Sequence, residues 1–182
     1  MRVQLVRAAA TAVVAGMLAA GIFSTGAQAA DGMKMSGWLP YWLMNTSTTD
    51  AVSNSDLFED VSPFWFDAQV ESSKTSSVGI MSNSLSWGTR PAILSSLQQN
   101  GIKVLPSITD GTPARHMASV LATPDKRTAF VGQITALLNN NGYDGIDLDF
   151  EKFAFNDGQQ TWATTKPAWV GFIAELATSL HA

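Results

Sequence analysis

Residues 145–151 read Gly-Ile-Asp-Leu-Asp-Phe-Glu, a strict alternation of apolar and acidic side chains. In an extended strand, successive side chains point to opposite faces. Ile146, Leu148 and Phe150 then enter a hydrophobic layer, and Asp147, Asp149 and Glu151 form a row on the other face. Neighbouring acids in that row are about 6.6 Å apart, at a rise of roughly 3.3 Å per residue. Desolvation and mutual repulsion raise at least one pKa in such a row. A raised carboxyl pKa is what a general acid needs near neutral pH. Two plainer readings compete. The row is the wet face of an edge strand, or it is a calcium loop. The apolar opposite face argues against the first. Against the second stand the hydrophobic residue between every pair of acids and the absence of the EF-hand's later glycine and terminal glutamate. His116 and His181 have no partner at ligand spacing, and the chain has no cysteine, so neither a metal nor a cofactor is expected.

Three earlier segments share the near-continuous apolar character of strands buried in a parallel sheet. They are Ser36–Leu43, Val61–Asp67 and Ile102–Ile108. Pro40, Pro63 and Pro106 blur their limits, because proline cannot donate to a ladder. Helical patterns lie between the later strands. Arg90–Asn100 has Pro91 in its first turn and Gly101 just past its end. Thr123 and Pro124 open a second helix, with Phe130, Ile134, Leu137 and Leu138 at helical spacing and Gly142 at its close. Pro167–Leu180 forms a third, with Trp169, Ile173, Leu176 and Leu180 on one stripe. The polar stretch Asn45–Asp60 and the serine-rich stretch Glu71–Gly88 read as long loops with at most a helical turn. This βα alternation makes the fold class α/β, either a doubly wound sheet or part of a (β/α)8 barrel. No glycine-rich dinucleotide fingerprint is present, which weakens the first. On the barrel reading, Glu151 stands at the C-terminal rim, the face that carries active sites.

The chain has 182 residues, of which 46% are hydrophobic and only 14% charged, so it is not a disordered polymer. A net charge of −4 without a basic block leaves no footprint for nucleic acid. Residues 1–29 read as a secretory signal peptide. Arg2 and Arg7 precede an apolar run over Ala8–Phe23, and Ala27-Gln28-Ala29 supplies the cleavage pattern. An uncleaved anchor is the alternative, but the run is short of the roughly 20 residues a span needs. The mature protein, 30–182, is expected to be secreted and to leave no membrane segment behind.

Asp144-Gly145-Ile146-Asp147-Leu148-Asp149-Phe150-Glu151 resembles the D-G-x-D-x-D-x-E signature of glycoside hydrolase family 18, the chitinase-like hydrolases. Ser36–Trp42 and Ser62–Asp67 are similar to the family's first two strands. The Leu-Pro-Tyr-Trp and Ser-Pro-Phe-Trp-Phe runs resemble its spore-cortex-lytic branch. The resemblance covers about residues 36–182 and implies the first four βα units of a (β/α)8 barrel. Such a barrel typically takes about 250 residues, so 30–182 is expected to be its N-terminal part, truncated before the later strands. The family's Ser-x-Gly-Gly on the third strand is represented by Ser107-Ile108-Thr109-Asp110-Gly111, which keeps the serine and loses the glycine pair.

The resemblance implies a retaining, substrate-assisted hydrolysis of β-1,4 links in N-acetylglucosamine polymers, chitin or peptidoglycan. By motif position, Glu151 protonates the leaving oxygen and then activates water. Asp149 orients the substrate acetamido group, and Asp147 tunes Asp149. Asp144 and Gly145 are structural. Ser107, Trp38, Trp42 and Phe66 are candidates for contact with substrate. Each aromatic among Trp38, Tyr41, Trp42, Phe64, Trp65 and Phe66 is either a sugar platform or plain core. A sugar-binding lectin or inert fragment of the same fold is the alternative function, and a metal- or protein-binding secreted domain a more distant one.

Overall fold

A computed structural model describes Gly32 and residues 34–71, 77–82 and 89–182. The signal peptide expected over 1–29 and Trp87 in the serine-rich stretch lie outside the described residues.

The chain runs β1 (Met35–Leu39), α1 (Met44–Ser53), β2 (Phe58–Val70), β3 (Val78–Ser82), α2 (Arg90–Gln99), β4 (Lys103–Val104), β5 (Ser107–Asp110), α3 (His116–Ala122), α4 (Pro124–Asn141), β6 (Asp147–Asp149) and α5 (Trp162–Leu180). A 3-10 turn, Tyr41–Leu43, follows β1, and a π-helical turn, Lys152–Asn156, follows β6. β1, β2, β5 and β6 pair in that order, all parallel. β4 and β5 act as one strand against β2, interrupted at Leu105 and Pro106. Counting β4 and β5 as one, each parallel strand lies beside the parallel strand before it in the chain, with no reversal of order. This is the order of a barrel and not of a doubly wound sheet, whose strand order reverses at a switch point. The architecture is a half-barrel, the first four βα units of a (β/α)8 fold. The short strand β3 adds an antiparallel flap to the far end of β2.

The core fills the space between the sheet and its helices. Val61, Trp65, Val104 and Ile108 from the strands meet Leu97, Met117, Leu121, Phe130, Ile134 and Phe172 from the helices. Phe130 stacks on Phe172 with centroids 5.7 Å apart, and Phe150 lies 6.3 Å from Phe130. These rings lock α4 and α5 onto the back of β6. On α5 the inward stripe is Trp169, Phe172, Leu176 and Leu180. Ile173, expected on that stripe, is 38% exposed, and Phe172, fully buried, takes its place.

The helix boundaries follow local chemistry. Pro91 and Pro124 occupy first turns, where a missing N–H costs nothing. Gly142 ends α4 at φ 69°, a left-handed backbone that favours glycine. Three elements depart from the sequence reading. α1 replaces the expected loop over Asn45–Asp60; it buries Met44, Thr48 and Ala51 and packs Val52 against the core, so its apolar period is faint. α3 stands in a stretch that carried no expectation. β3 lies in the serine-rich segment and gains its order from β2.

Candidate active site

The acidic strand is shorter than its alternation implies. β6 covers Asp147–Asp149, and Glu151 already has helical backbone (φ −64°, ψ −39°). The row of three acids on a continuous strand is corrected to two on the strand and one on the turn above it. The π-helical turn that begins after Glu151 explains this. Phe153 packs on Trp169 with centroids 5.4 Å apart and draws the chain over the end of the strand. π-turns of this kind occur often at functional sites. The apolar face behaves as expected. Phe150 is buried, and Ile146 and Leu148 pack against the core.

Asp147 faces the concave side of the sheet. Its Oδ2 accepts the Ser107 hydroxyl at 2.7 Å from the neighbouring strand. The same oxygen accepts the Trp38 indole N–H at 3.1 Å from β1, two strands further on. Trp38 in turn leans on Phe64, centroids 6.3 Å apart. Trp38, Phe64, Ser107 and Asp147 thus make one layer across four strands. Below it lies a hollow of about 330 Å³ lined in part by Ser36, Trp38, Asp60, Ser62 and Asp147.

A second layer lies above the first. Asp67 is registered with Thr109, and Thr109 with Asp149. The Thr109 hydroxyl donates to Asp67 Oδ1. Asp149 has its carboxyl pKa raised, first by burial and then by the nearby charges of Glu151 and Asp147. Asp149 therefore resists ionisation. Glu151 is exposed and borders, with Asp149, a largely apolar cleft of about 550 Å³ whose walls also include Leu148 and Phe150 of the opposite strand face and Phe155, Trp162 and Trp169.

Two further hydrogen bonds tie the rim loops beside Glu151. Lys152 Nζ donates to the Thr112 carbonyl at 3.1 Å, and the Arg115 N–H donates to Asp157 Oδ1 at 2.7 Å. Among the described residues no group of three His, Asp or Glu is arranged to hold a metal.

The remaining candidates divide clearly. Asp144 has a structural position: its Oδ2 accepts the Val104 N–H at 2.9 Å and the Gln98 side chain at 3.0 Å. Gly145 lies against Leu105, whose Cγ would sit 3.1 Å from an added Cβ. Trp38 is 67% exposed and Trp42 is 63% exposed. Trp42 lies on the 3-10 turn, edge-on to Tyr41, and lines a different hollow from the carboxylates. Ser107 is fully buried, so it reaches Asp147 and offers no surface to a sugar.

Phe66 is a correction. It is 1% exposed and packs on the helix side of the sheet. The Arg90 guanidinium lies 4.8 Å from its ring centre, and Tyr143 is 6.1 Å away. The cause is a bulge. Phe64 pairs with Ser107, yet Phe66 pairs with Ile108, so two steps on β2 match one on β5. Strict alternation puts Phe66 on the face of Phe64; the bulge turns it into the core and brings Asp67 to the concave face instead. Asp67 and Thr109 thus escaped the sequence reading. The available signal was Thr109 itself, two residues past Ser107 and so on its face, at the first glycine of the family's Ser-x-Gly-Gly.

The model of glycosyl hydrolases family 18 matches residues 47–182. No curated protein matches by sequence. Among solved structures, catalytic domain 2 of the Group II chitinase of Ostrinia furnacalis is 19% identical with a TM-score of 0.63, covering 82% of this chain and 40% of that one. A family 18 chitinase from Cycas revoluta in complex with (GlcNAc)3 is 19% identical with a TM-score of 0.59, covering 80% and 40%. The spore cortex-lytic enzyme SleL of Bacillus megaterium QM B1551 is 13% identical with a TM-score of 0.56, covering 82% and 32%. At these identities the likeness is one of fold, and this chain spans about two-fifths or less of each structure. The family model covers most of the sequence and includes the whole acidic motif, and the chain belongs to glycosyl hydrolases family 18.

Proposed function

We propose that this chain carries the catalytic carboxylates of a secreted glycoside hydrolase that cleaves β-1,4 links in an N-acetylglucosamine polymer, chitin or peptidoglycan. The observation that carries the reading is the acidic pair in β6. Asp147 is held by two donors, and Asp149 beside it has a raised pKa. Chitinases of the same fold in complex with (GlcNAc)3 and with (NAG)5 support the substrate class.

In the proposed mechanism the acetamido oxygen of the bound sugar attacks its own anomeric carbon. The glycosidic C–O bond breaks, and Glu151 gives its proton to the departing oxygen. Asp149 hydrogen-bonds the acetamido N–H and balances the positive charge of the oxazolinium. Water, deprotonated by the Glu151 carboxylate, then attacks the anomeric carbon from the leaving side. Two inversions leave the configuration retained. Glu151 suits the acid–base task because it is exposed on the turn above the strand end, where water can reach it. Asp149 suits the internal task because its charge, disfavoured in the free protein by burial and its acidic neighbours, is offset once the positive charge of the oxazolinium forms beside it.

The test is hydrolysis of a chromogenic N,N′-diacetylchitobioside by the purified protein, with Glu151→Gln beside it. The expected loss is on the order of 10²–10⁴-fold, the usual worth of a general acid. Sugar binding that survives in the variant separates catalysis from binding. Equal turnover by both proteins sinks the assignment, and turnover by neither, with sugar still bound, favours a lectin-like role. Export rests on Arg2, Arg7 and Ala27-Gln28-Ala29. A secreted product whose N-terminus begins near Ala30 is the expected outcome of N-terminal sequencing.

A further inference from the structure

We propose that Asp67 is a positioning residue that acts through Thr109: it accepts the hydrogen bond of the Thr109 hydroxyl, so that Asp149 meets an oxygen lone pair rather than a donor. This rests on the proposed function only for its catalytic consequence.

The argument starts from register. Asp67, Thr109 and Asp149 are paired across three adjacent parallel strands. Adjacent strands lie about 4.8 Å apart. Thr109 stands two residues beyond Ser107, whose hydroxyl reaches Asp147 on the concave face, so Thr109 shares that face. Its hydroxyl donates to Asp67 Oδ1. A threonine hydroxyl has one proton to give and two lone pairs with which to accept. With the proton directed to Asp67, the hydroxyl oxygen has only lone pairs left to offer the carboxyl of Asp149, its neighbour in register on β6. An ionised Asp149 would face that lone pair unfavourably; a protonated Asp149 can donate to it. The arrangement adds to the burial and the acidic neighbours that already raise the Asp149 pKa.

The charged groups around Asp149 fit this account. Asp147 and Glu151 stand on its own segment. Asp67 stands beyond Thr109 on β2. Lys166 of α5 lines the same cleft, and Lys152, next to Glu151, is directed to the Thr112 carbonyl. Asp110 turns away into its own loop, where it accepts from the Thr112 N–H and hydroxyl. The bulge at Phe64–Phe66 is what brings Asp67 onto this face.

The experiment is a carbon-13 NMR titration of the Asp149 carboxyl in the whole chain, assigned through Asp149→Asn. Asp67→Ala frees the Thr109 proton to turn toward Asp149, and the Asp149 titration is expected to move down by about one pH unit. That is the scale of one hydroxyl hydrogen bond to a carboxylate. Asp67→Asn removes the charge and keeps an acceptor for Thr109, so Asp149 is expected to titrate near its parent value. In a Thr109→Val background, Asp67→Ala is expected to shift Asp149 little. An unmoved titration in Asp67→Ala overturns the proposal. So does an Asp67→Asn shift as large as that of Asp67→Ala, because the effect is then bare charge and not proton direction. A shift that persists with Thr109→Val overturns it likewise. All three readouts are independent of turnover, so a failure of the hydrolase reading shows separately, as activity that does not depend on Glu151. Where the chain hydrolyses substrate, the acid limb of its kcat/KM profile is expected to move down with the same variant.

Discussion

The Trp38 indole nitrogen lies 3.1 Å from Asp147 Oδ2, the same oxygen that accepts the Ser107 hydroxyl at 2.7 Å. An indole N–H can only donate. Asp147 is therefore met by a donor from β1 and another from β5, and its Oδ2 is fixed as an acceptor.

Trp38→Phe tests this relationship. The ring and its contact with Phe64 remain, and the donor is lost. A hydrogen bond to a charged group is worth about 1.5–3 kcal/mol, so kcat/KM is expected to fall about 10- to 100-fold. Melting temperature is expected to fall by a few degrees at most, because the side chain is 67% exposed and water can replace the lost donor. If Trp38 acts only as a stacking platform, phenylalanine keeps the activity and the donor role is wrong.

Phe66 and Trp42, both candidates for sugar contact, are expected to behave oppositely. Phe66 is fully buried between Arg90 and Tyr143. Phe66→Ala should cost about 3–5 kcal/mol of stability, read as a lower urea midpoint. Trp42→Ala, on an exposed turn, should stay within about 0.5 kcal/mol. A stable Phe66→Ala chain with weakened sugar affinity would return Phe66 to the substrate surface.

The contrast shows what could be read from sequence. Apolar runs and helical stripes carried the βα order, because each strand and most helices bury a periodic face. The acidic motif located Asp147 and Asp149 on a strand, because alternation is direct geometry. Three things were illegible for physical reasons. The bulge after Phe64 reverses the facing of every later residue on β2, and alternation has no means of signalling an extra residue. Glu151 leaves the strand because Phe153 docks on Trp169, a tertiary contact. α1 is polar on most of its surface and is held by only three buried side chains, so its pattern resembles a loop.

Asp144 holds the entrance to β6. Its Oδ2 accepts from the Val104 N–H and from Gln98, and its own N–H donates to the Val104 carbonyl. Asp144→Ala leaves the Val104 N–H without its acceptor. The expected cost is about 1–3 kcal/mol, measured by urea unfolding. Asp144→Asn retains an acceptor oxygen and should recover much of it. Equal stability of all three chains would show that water replaces the aspartate at no cost.

The raised pKa of Asp149 has a consequence for stability with a definite sign. Burial and the charges of Glu151 and Asp147 raise the folded value above the unfolded one, which is about 3.9. Between those two values the folded chain binds more protons than the unfolded chain. Stability therefore falls as pH rises through that window. Below about pH 3.9 Asp149 is protonated in both states and costs nothing. Above its folded pKa it stands ionised in a site that resists the charge. Asp149→Asn removes the ionisation and keeps the shape. The variant is expected to be more stable than the parent at neutral pH, to converge with it at low pH, and to lose hydrolysis. Paired urea titrations at acid and neutral pH decide this: an Asp149→Asn chain no more stable than the parent at neutral pH would mean that the site solvates the carboxylate after all.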